Sequence, residues 1–255
     1  MPTTTTDRPA RPSLAQRLGL ARRARTSRHR DVQGSGTRAA VLGAGDGLIT
    51  NVSLVLGVAG ASAAGPAVRL AGLAGLLAGA FSMAAGELVS VRAQDELVRR
   101  EIDVESEEHR SDPEEEQREL AAMYQARGVP AEDAAIVARI LSADHAVALD
   151  THVRLELGID PDSVGSAGAA GVSSFFSFAI GALLPLLPWF FISGTGAVMA
   201  SILIGAAAAT ALGMAIGALT GRGMARTAAR QLVAAAVAAG VTYAVGTLIG
   251  AHTTG

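Results

Sequence analysis

Carboxylates and imidazoles recur at helix spacing in the most acidic part of the chain. Of the 23 acidic residues, 19 lie between residues 95 and 162, a stretch called the acidic segment below. Three pairs of ligand-type residues stand three or four positions apart there: Glu105 with Glu108, Glu116 with Glu119, and His152 with Glu156. At this spacing two side chains share one helix face, and paired carboxylates repel each other by about 0.2–0.5 kcal/mol. A divalent cation would relieve this repulsion.

Carboxylates combined with an imidazole suit borderline divalent ions such as Fe²⁺, Mn²⁺ or Zn²⁺. The six paired residues are therefore predicted to bind a metal ion. The alternative interpretation is a solvated acidic face without a bound ion. That interpretation fits the remaining glutamates of the region: Glu101, Glu107, Glu114 and Glu115.

Two further carboxylates lie in otherwise apolar sequence. Asp46 occurs in GAGDGLITNVSLVLG and Glu87 in FSMAAGELVS, and a carboxylate costs roughly 2.5–3.5 kcal/mol in the middle of a membrane-spanning helix. Both lie about 10 Å from the same end of their spans, so two antiparallel helices would place them at one level. Met83, one turn from Glu87, adds a thioether. An ion or proton site is predicted; the alternative is that both acids snorkel or cap helix breaks at neighbouring glycines.

Hydropathy predicts an all-α membrane protein with five transmembrane helices. Half of the residues are hydrophobic and 17% are charged, whereas about 25% are charged in an average soluble domain. Apolar stretches of the length needed to cross a bilayer, about 20 residues, lie at 39–64, 67–93, 167–188, 194–219 and 227–250. The predicted domains are a basic arm at 1–38, transmembrane helices 1 and 2 at 39–94, a helical metal-binding domain at 95–162, and transmembrane helices 3 to 5 at 163–255.

Helix start and stop signals divide the acidic segment. Asp112 followed by Pro113 is typical of an N-cap and first helical position, and Gly128 before Val129-Pro130 is typical of a helix end. The predicted helices run from the second span to about Arg110, from Asp112 to Gly128, from Ala131 to Leu141, and from Asp144 to Gly158. These helices would hold the paired ligand-type residues in a small bundle.

The placement of arginines predicts the orientation. All 21 basic residues are arginine; nine lie in the first 38 residues, and Arg222, Arg226 and Arg230 lie between spans 4 and 5. Because positive loops stay inside, the arm, the acidic segment and this loop are predicted to be cytoplasmic, and the C-terminus outside or lumenal. The arm lacks the apolar core of a secretory signal. We interpret it as a mostly disordered cytosolic arm, with an organellar transit peptide as the alternative, and favour a bacterial plasma membrane over a vacuole.

Several classes of function are excluded by what the sequence lacks. There is no cysteine, which excludes disulfides, iron–sulfur clusters and thiolate metal sites. No Walker motif and no nucleophile elbow is present. We therefore expect neither an enzyme nor a protein with a resident cofactor. Lipid, protons and divalent metal ions are the expected partners, and nucleic acid is not.

Several motifs resemble the vacuolar iron transporter family of divalent-metal/proton antiporters. They are DGLITNVSLVLGVAGAS, FSMAAGELVSVRAQ and DPEEEQRELAAMYQARGV, followed by LELG and LLPWFF. They occur in family order from about residue 38 to the C-terminus. The resemblance implies a five-span homodimer whose cytoplasmic helical domain collects Fe²⁺ and passes it along a path at the dimer interface.

The resemblance also implies roles for individual residues. The metal-binding glutamates of the family match Glu105, Glu108, Glu116, Glu119 and Glu156. In the membrane the matching positions are Asp46 and Met83, with Glu87 beside them. One departure is that His152 and Val153 stand where plant members have adjacent methionines, which exchanges a thioether donor for an imidazole.

The resulting hypothesis is a dimeric antiporter that moves Fe²⁺ out of the cytosol, with Mn²⁺, Co²⁺ or Zn²⁺ as further cargo, driven by inward proton flow. The alternative is a membrane-anchored metal sensor or storage-linked scaffold that does not transport. Uptake rather than export is also compatible with the sequence, because residue placement predicts orientation but not the direction of flux.

Overall fold

Nearly all residues described by the computed structural model lie in helices. The description covers residues 35–61, 64–158, 160 and 166–253, so most of the predicted basic arm lies outside it. The helices are α1 (Ser35–Gly60), α2 (Gly65–Ser111), α3 (Pro113–Ala126), α4 (Ala131–Leu141), α5 (His145–Leu155), α6 (Ala167–Leu186), α7 (Gly194–Thr220) and α8 (Met224–Thr253). A 3₁₀ turn, Leu187–Phe190, follows α6.

Five of the helices within these ranges are long and apolar enough to cross a membrane. They are α1, α2, α6 with its 3₁₀ turn, α7 and α8. The prediction of five such helices is confirmed, with ends that differ from the predicted ones by a few residues. The largest differences are at α1, which begins at Ser35 rather than Ala39 and ends at Gly60 rather than Ala64.

The second of these helices extends far beyond the apolar stretch that begins it. α2 has 47 residues, which at 1.5 Å per residue is about 70 Å, more than twice the roughly 30 Å hydrocarbon core of a bilayer. Its second half is charged and carries an Arg99–Asp95 ion pair of 3.1 Å one turn apart. No glycine or proline occurs between Gly86 and Ser111. The predicted continuation of span 2 into the acidic segment is therefore confirmed.

Helix α1 is the centre of the apolar part and packs mainly against α6 and α8. Close approach to α6 depends on glycine: a Cβ atom at Gly47 would fall on the carbonyl oxygen of Phe178, and one at Gly181 would fall on that of Ala44. One turn beyond Gly47, the buried Asn51 side chain donates from Nδ2 to the carbonyl oxygen of Ala182, at 2.6 Å. The two backbones thus lie nearer than larger residues would allow.

The turn after α6 is fixed by a buried hydrogen-bond chain. The Trp189 indole Nε1 donates to Ser201 Oγ at 2.9 Å, and Ser201 Oγ donates to the carbonyl oxygen of Pro185 at 2.7 Å. Trp189 and Ser201 are both buried. Because a buried indole N–H needs an acceptor, this chain satisfies the tryptophan and joins the end of α6 to α7.

Helices α3, α4 and α5 form a small layer with its own apolar core. Leu120 and Ala121 of α3 pack against Ala138 of α4. The same cluster includes Tyr124, Leu141 and Leu155. The Arg127 guanidinium donates to the carbonyl oxygen of Leu155 at 2.9 Å, which joins the end of α3 to the end of α5. The ligand-type residues of these helices are therefore held on a packed scaffold.

Candidate metal centre

A capped turn between α2 and α3 brings their acidic faces together. The backbone N–H of Asp112 donates to the carbonyl oxygen of Glu108 at 2.9 Å, which ends α2. The Asp112 side chain then accepts from the N–H of Glu115 at 3.0 Å, which starts α3. The predicted N-cap at Asp112 is confirmed. Because Asp112 both ends α2 and caps α3, the chain reverses direction at this residue, and α3 faces the end of α2.

Four buried side chains meet where α2, α3 and α5 converge. Glu105 and His109 come from α2, Glu116 from α3 and His152 from α5. One donor atom from each of the four lies within 4.8 Å of the others. All four residues are at least nine-tenths buried, with exposed fractions of 4%, 6%, 7% and 0% in that order. We call these four residues the inner cluster.

The His152 imidazole lies between the two carboxylates of the inner cluster. Its Nδ1 is 2.8 Å from Glu105 Oε1 and 2.9 Å from Glu116 Oε2. A single Nδ1–H can donate to both oxygens only as a shared hydrogen bond. The arrangement therefore brings three possible metal-ligand atoms, one nitrogen and two oxygens, close together. The other ring nitrogen, Nε2, is buried and has no hydrogen-bond partner among the described residues.

His109 is a member of the inner cluster that the sequence analysis did not identify. Its Nε2 is 3.5 Å from Glu105 Oε1 and 3.8 Å from Glu116 Oε2, and its ring centroid is 4.5 Å from that of His152. A third imidazole, His145, lies 5.9 Å from His109 between ring centroids. The signal was present in the sequence, since His109 follows Glu105 by four residues and must share its helix face.

The other predicted ligands lie at the outside of this cluster. Glu108, Glu119 and Glu156 are exposed, and they are called the outer carboxylates below. Glu108 and Glu119 act electrostatically on Glu116, and Glu119 also acts on Glu156. The structure therefore brings all six predicted ligands into one region and divides them into an inner and an outer set.

Burial and like charge raise the pKa of two of these carboxyl groups. Loss of solvent, and then the neighbouring Glu105 carboxylate, raise the pKa of Glu116 from 4.5 to about 7. The same two causes raise the pKa of Glu156, because its carboxyl group is partly desolvated although the residue as a whole is exposed. Burial, and then the adjacent His152, lower the pKa of His109, which keeps its imidazole neutral near pH 7. These are the shifts expected where desolvated and like-charged groups lie close together.

The predicted membrane residues occupy two different helices. Asp46 lies on α1 and is exposed in the single chain, whereas Met83 and Glu87 lie one turn apart on α2 and are half-buried. Gly45 and Gly47 flank Asp46 and approach α7, α8 and α6 closely. The sides of α1 that carry Gly45 and Gly47 are packed against these helices, and Asp46 therefore lies on the exposed side of α1.

Comparison with known proteins decides the family. The sequence profile of the VIT family matches residues 37–247. The chain belongs to the VIT family. Vacuolar iron transporter 1 of Arabidopsis thaliana is 31% identical over 182 residues, which cover 71% of this chain and 73% of the relative. Vacuolar iron transporter homolog 1 of Oryza sativa subsp. japonica is 32% identical over 216 residues, 84% of this chain and 74% of the relative.

A vacuolar iron transporter of Acanthamoeba castellanii has higher identity over a shorter range. It is 40% identical over 144 residues, which cover 56% of this chain and 51% of the relative. The VIT match spans the predicted site residues from Asp46 to Glu156. The resemblance found in the sequence motifs is thus confirmed, as is the expectation that the chain is not an enzyme, since VIT is a family of transporters. With its five apolar helices, this VIT-family chain is an integral membrane protein.

Proposed function

We propose that this VIT-family protein is a proton-coupled transporter that removes Fe²⁺ from the cytosol, with Mn²⁺, Co²⁺ and Zn²⁺ as further cargo. The observation that supports it most strongly is the inner cluster, in which two buried carboxylates and two buried imidazoles converge within 4.8 Å. Buried charges in proteins are paired or bind metal. The names of the similar proteins, vacuolar iron transporters, make Fe²⁺ the first ion to test.

Capture begins at the acidic segment in this proposal. The outer carboxylates attract the ion from solution, and the inner cluster holds it with fewer water ligands. Arg222, Arg226 and Arg230 line a common pocket at the turn from α7 to α8, and positive loops remain inside. The acidic segment lies two spans before this turn and therefore on the same side of the membrane, so we place it in the cytoplasm. This orientation puts the C-terminus outside or in a lumen, and a bacterial plasma membrane remains the predicted location.

Transfer through the membrane uses Asp46, Met83 and Glu87. The ion binds to the two carboxylates and the thioether, and protons arriving from the acidic side compete for the same oxygens and release it. The carboxylate of Asp46 is exposed in the single chain, and such a group facing lipid costs roughly 2.5–3.5 kcal/mol. A symmetric homodimer would cover this face and set two copies of Asp46 across the interface.

The test is flux of Fe²⁺ into proteoliposomes under an imposed pH gradient. We expect the wild-type chain to carry Fe²⁺ at a rate that follows the gradient, and Asp46→Ala to carry it at the background rate. Asp103→Ala is the matched control, because Asp103 is an exposed aspartate on α2 and should transport normally.

Two results would contradict the proposal. Gradient-driven flux that persists in Asp46→Ala would exclude Asp46 from the path. Metal binding without flux in correctly inserted wild-type protein would instead support a membrane-anchored sensor or storage-linked scaffold.

A further inference from the structure

We infer that His109 completes a four-donor inner site of two nitrogens and two oxygens that selects Zn²⁺ and Co²⁺ over Mn²⁺. This inference rests on the proposed function, because it concerns the cargo of the same transporter. It adds a ligand and a selectivity to that proposal. The four donors are His109 Nε2, His152 Nδ1, Glu105 Oε1 and Glu116 Oε2.

The spacing of the four donors suits one small ion. Zinc bonds to nitrogen and carboxylate oxygen are about 2.0–2.2 Å long, so the edges of a tetrahedron of such ligands are about 3.4 Å. The measured separations are 2.8 and 2.9 Å from His152 to the two carboxylates, and 3.5 and 3.8 Å from His109. These four separations lie on both sides of the ideal edge, with those from His152 about 0.6 Å shorter than it, and all four donor atoms lie within 4.8 Å of one another.

Hydrogen bonding leaves the proposed donor of His109 available for a metal. His109 Nε2 is buried and has no hydrogen-bond partner among the described residues, whereas the unpartnered nitrogen of His152, Nε2, is not one of the four donors. An unsatisfied buried polar atom costs about 1–3 kcal/mol, so a packed scaffold would not keep His109 Nε2 in this state without a reason. His109 Nε2 also lies 3.5 and 3.8 Å from the two carboxylates, close enough for a cation held between them to bind to it after a small shift.

Charge points to a divalent cation. The inner cluster contains two carboxyl groups, and the ion-pair partners found for them among the described residues are the two imidazoles. With both imidazoles neutral and both carboxylates ionised, the net charge is −2, which one divalent ion neutralises. Buried carboxylates need this kind of compensation because they have lost their water.

The donor types determine the preference among divalent ions. Imidazole suits Zn²⁺, Fe²⁺ and Ni²⁺, whereas carboxylate and water suit Mn²⁺. Four close donors, two of them nitrogen, also favour the tetrahedral arrangement common for Zn²⁺. Without His109 the inner cluster would hold one nitrogen and two oxygens, and the outer carboxylates would add only oxygen. His109 is therefore the residue that should separate Zn²⁺ and Co²⁺ from Mn²⁺.

The first experiment compares affinities for Zn²⁺ alone and Mn²⁺ alone in the full-length protein in detergent. We expect His109→Gln to weaken Zn²⁺ binding at least about tenfold, since even residues behind the metal ligands are worth 10–100-fold, and to change Mn²⁺ binding about threefold or less. His252→Gln is the matched control, because His252 lies exposed in the last turn of α8, far along the chain from the acidic segment. Equal losses for both ions, or no loss for Zn²⁺, would overturn the inference.

The second experiment starts from the wild-type protein and so covers the case in which His109→Gln does not fold. Co²⁺ added to the wild-type protein should give the intense visible absorption of a tetrahedral ion, whereas a weak octahedral spectrum would overturn the inference. His145→Gln should keep the tetrahedral spectrum, since His145 is not among the four donors. These outcomes are separate from flux. If the wild-type protein transports and His109→Gln has an unchanged ratio of Zn²⁺ to Mn²⁺ affinity, only this inference is rejected. If the protein binds Co²⁺ tetrahedrally but does not transport, only the proposed function is rejected.

Discussion

Metal capture at the acidic segment should weaken steeply as the pH falls below 7. The pKa of Glu116 is raised to about 7, and a metal can bind to its carboxylate only after the proton leaves. For one such proton, lowering the pH from 7.5 to 5.5 should reduce the apparent affinity by about 25-fold, or about 2 kcal/mol. The pKa of Glu156 is also raised, so the wild-type dependence should be at least this steep.

Calorimetric titration with Co²⁺ across this pH range measures the effect. In Glu116→Gln the group that titrates is absent, so we expect weaker binding with a smaller pH dependence. Glu107→Gln is the matched control, because Glu107 lies on the same helix as Glu105 with a side chain that is 74% exposed, and its profile should match the wild type. A flat wild-type profile would refute the reasoning, and so would an equally steep profile in Glu116→Gln.

The stability of the metal-free protein should change with pH in the opposite direction. A folded-state pKa above the unfolded value means that the folded chain binds the proton more tightly. The contribution of Glu116 to the free energy of unfolding is therefore fully present below pH 4.5 and is lost as the pH rises through 7, by an amount on the order of 3 kcal/mol. Glu116→Gln should remove this loss, which thermal unfolding in the presence of a chelator would show as a flatter curve of stability against pH.

The remaining predictions concern the elements that position the site. Gly47→Ala places a Cβ on the carbonyl oxygen of Phe178 and should destabilise the α1–α6 contact by about 1–3 kcal/mol. Gly240→Ala, where nothing lies within 4 Å, is its control, and equal melting temperatures for the two variants would contradict the packing argument. Asp112→Ala removes the cap of α3 and should cost about 1 kcal/mol together with metal affinity, as thermal melting and titration would show. Asp133→Ala, exposed in the first turn of α4, should change neither quantity.

Much of the fold could be predicted because its signals are local. Hydropathy is a property of about 20 consecutive residues, and caps such as Asp112 and left-handed glycines such as Gly128, with φ of +92°, mark helix ends without reference to the rest of the chain. The helix Ala131–Leu141 was predicted with the bounds that the structure has. The length of α2 could be predicted for the same reason, since no breaker follows Gly86.

The division of the candidate site into layers could not be predicted in this way. Spacing of three or four residues shows that Glu105 and Glu108 share a face, but the rotation of α2 against α3 and α5 decides which of them is buried. That rotation depends on tertiary contacts such as Leu120 with Ala138. His109 was missed because helix spacing was applied to acidic pairs and to one histidine, and not to the position one turn after Glu105.

The length of α2 has a mechanical consequence. Glu87 in the membrane part and His109 in the inner cluster lie on one uninterrupted helix, 22 positions or about 33 Å apart. If this helix stays straight, a tilt of about 5° around the level of Glu87 displaces His109 by about 3 Å. This displacement is comparable to the distances between the side chains of the inner cluster. His109 and Glu105 would move together, whereas Glu116 and His152 are carried by other helices. Small movements of this helix in the lipid would thus change the distances between the side chains of the inner cluster.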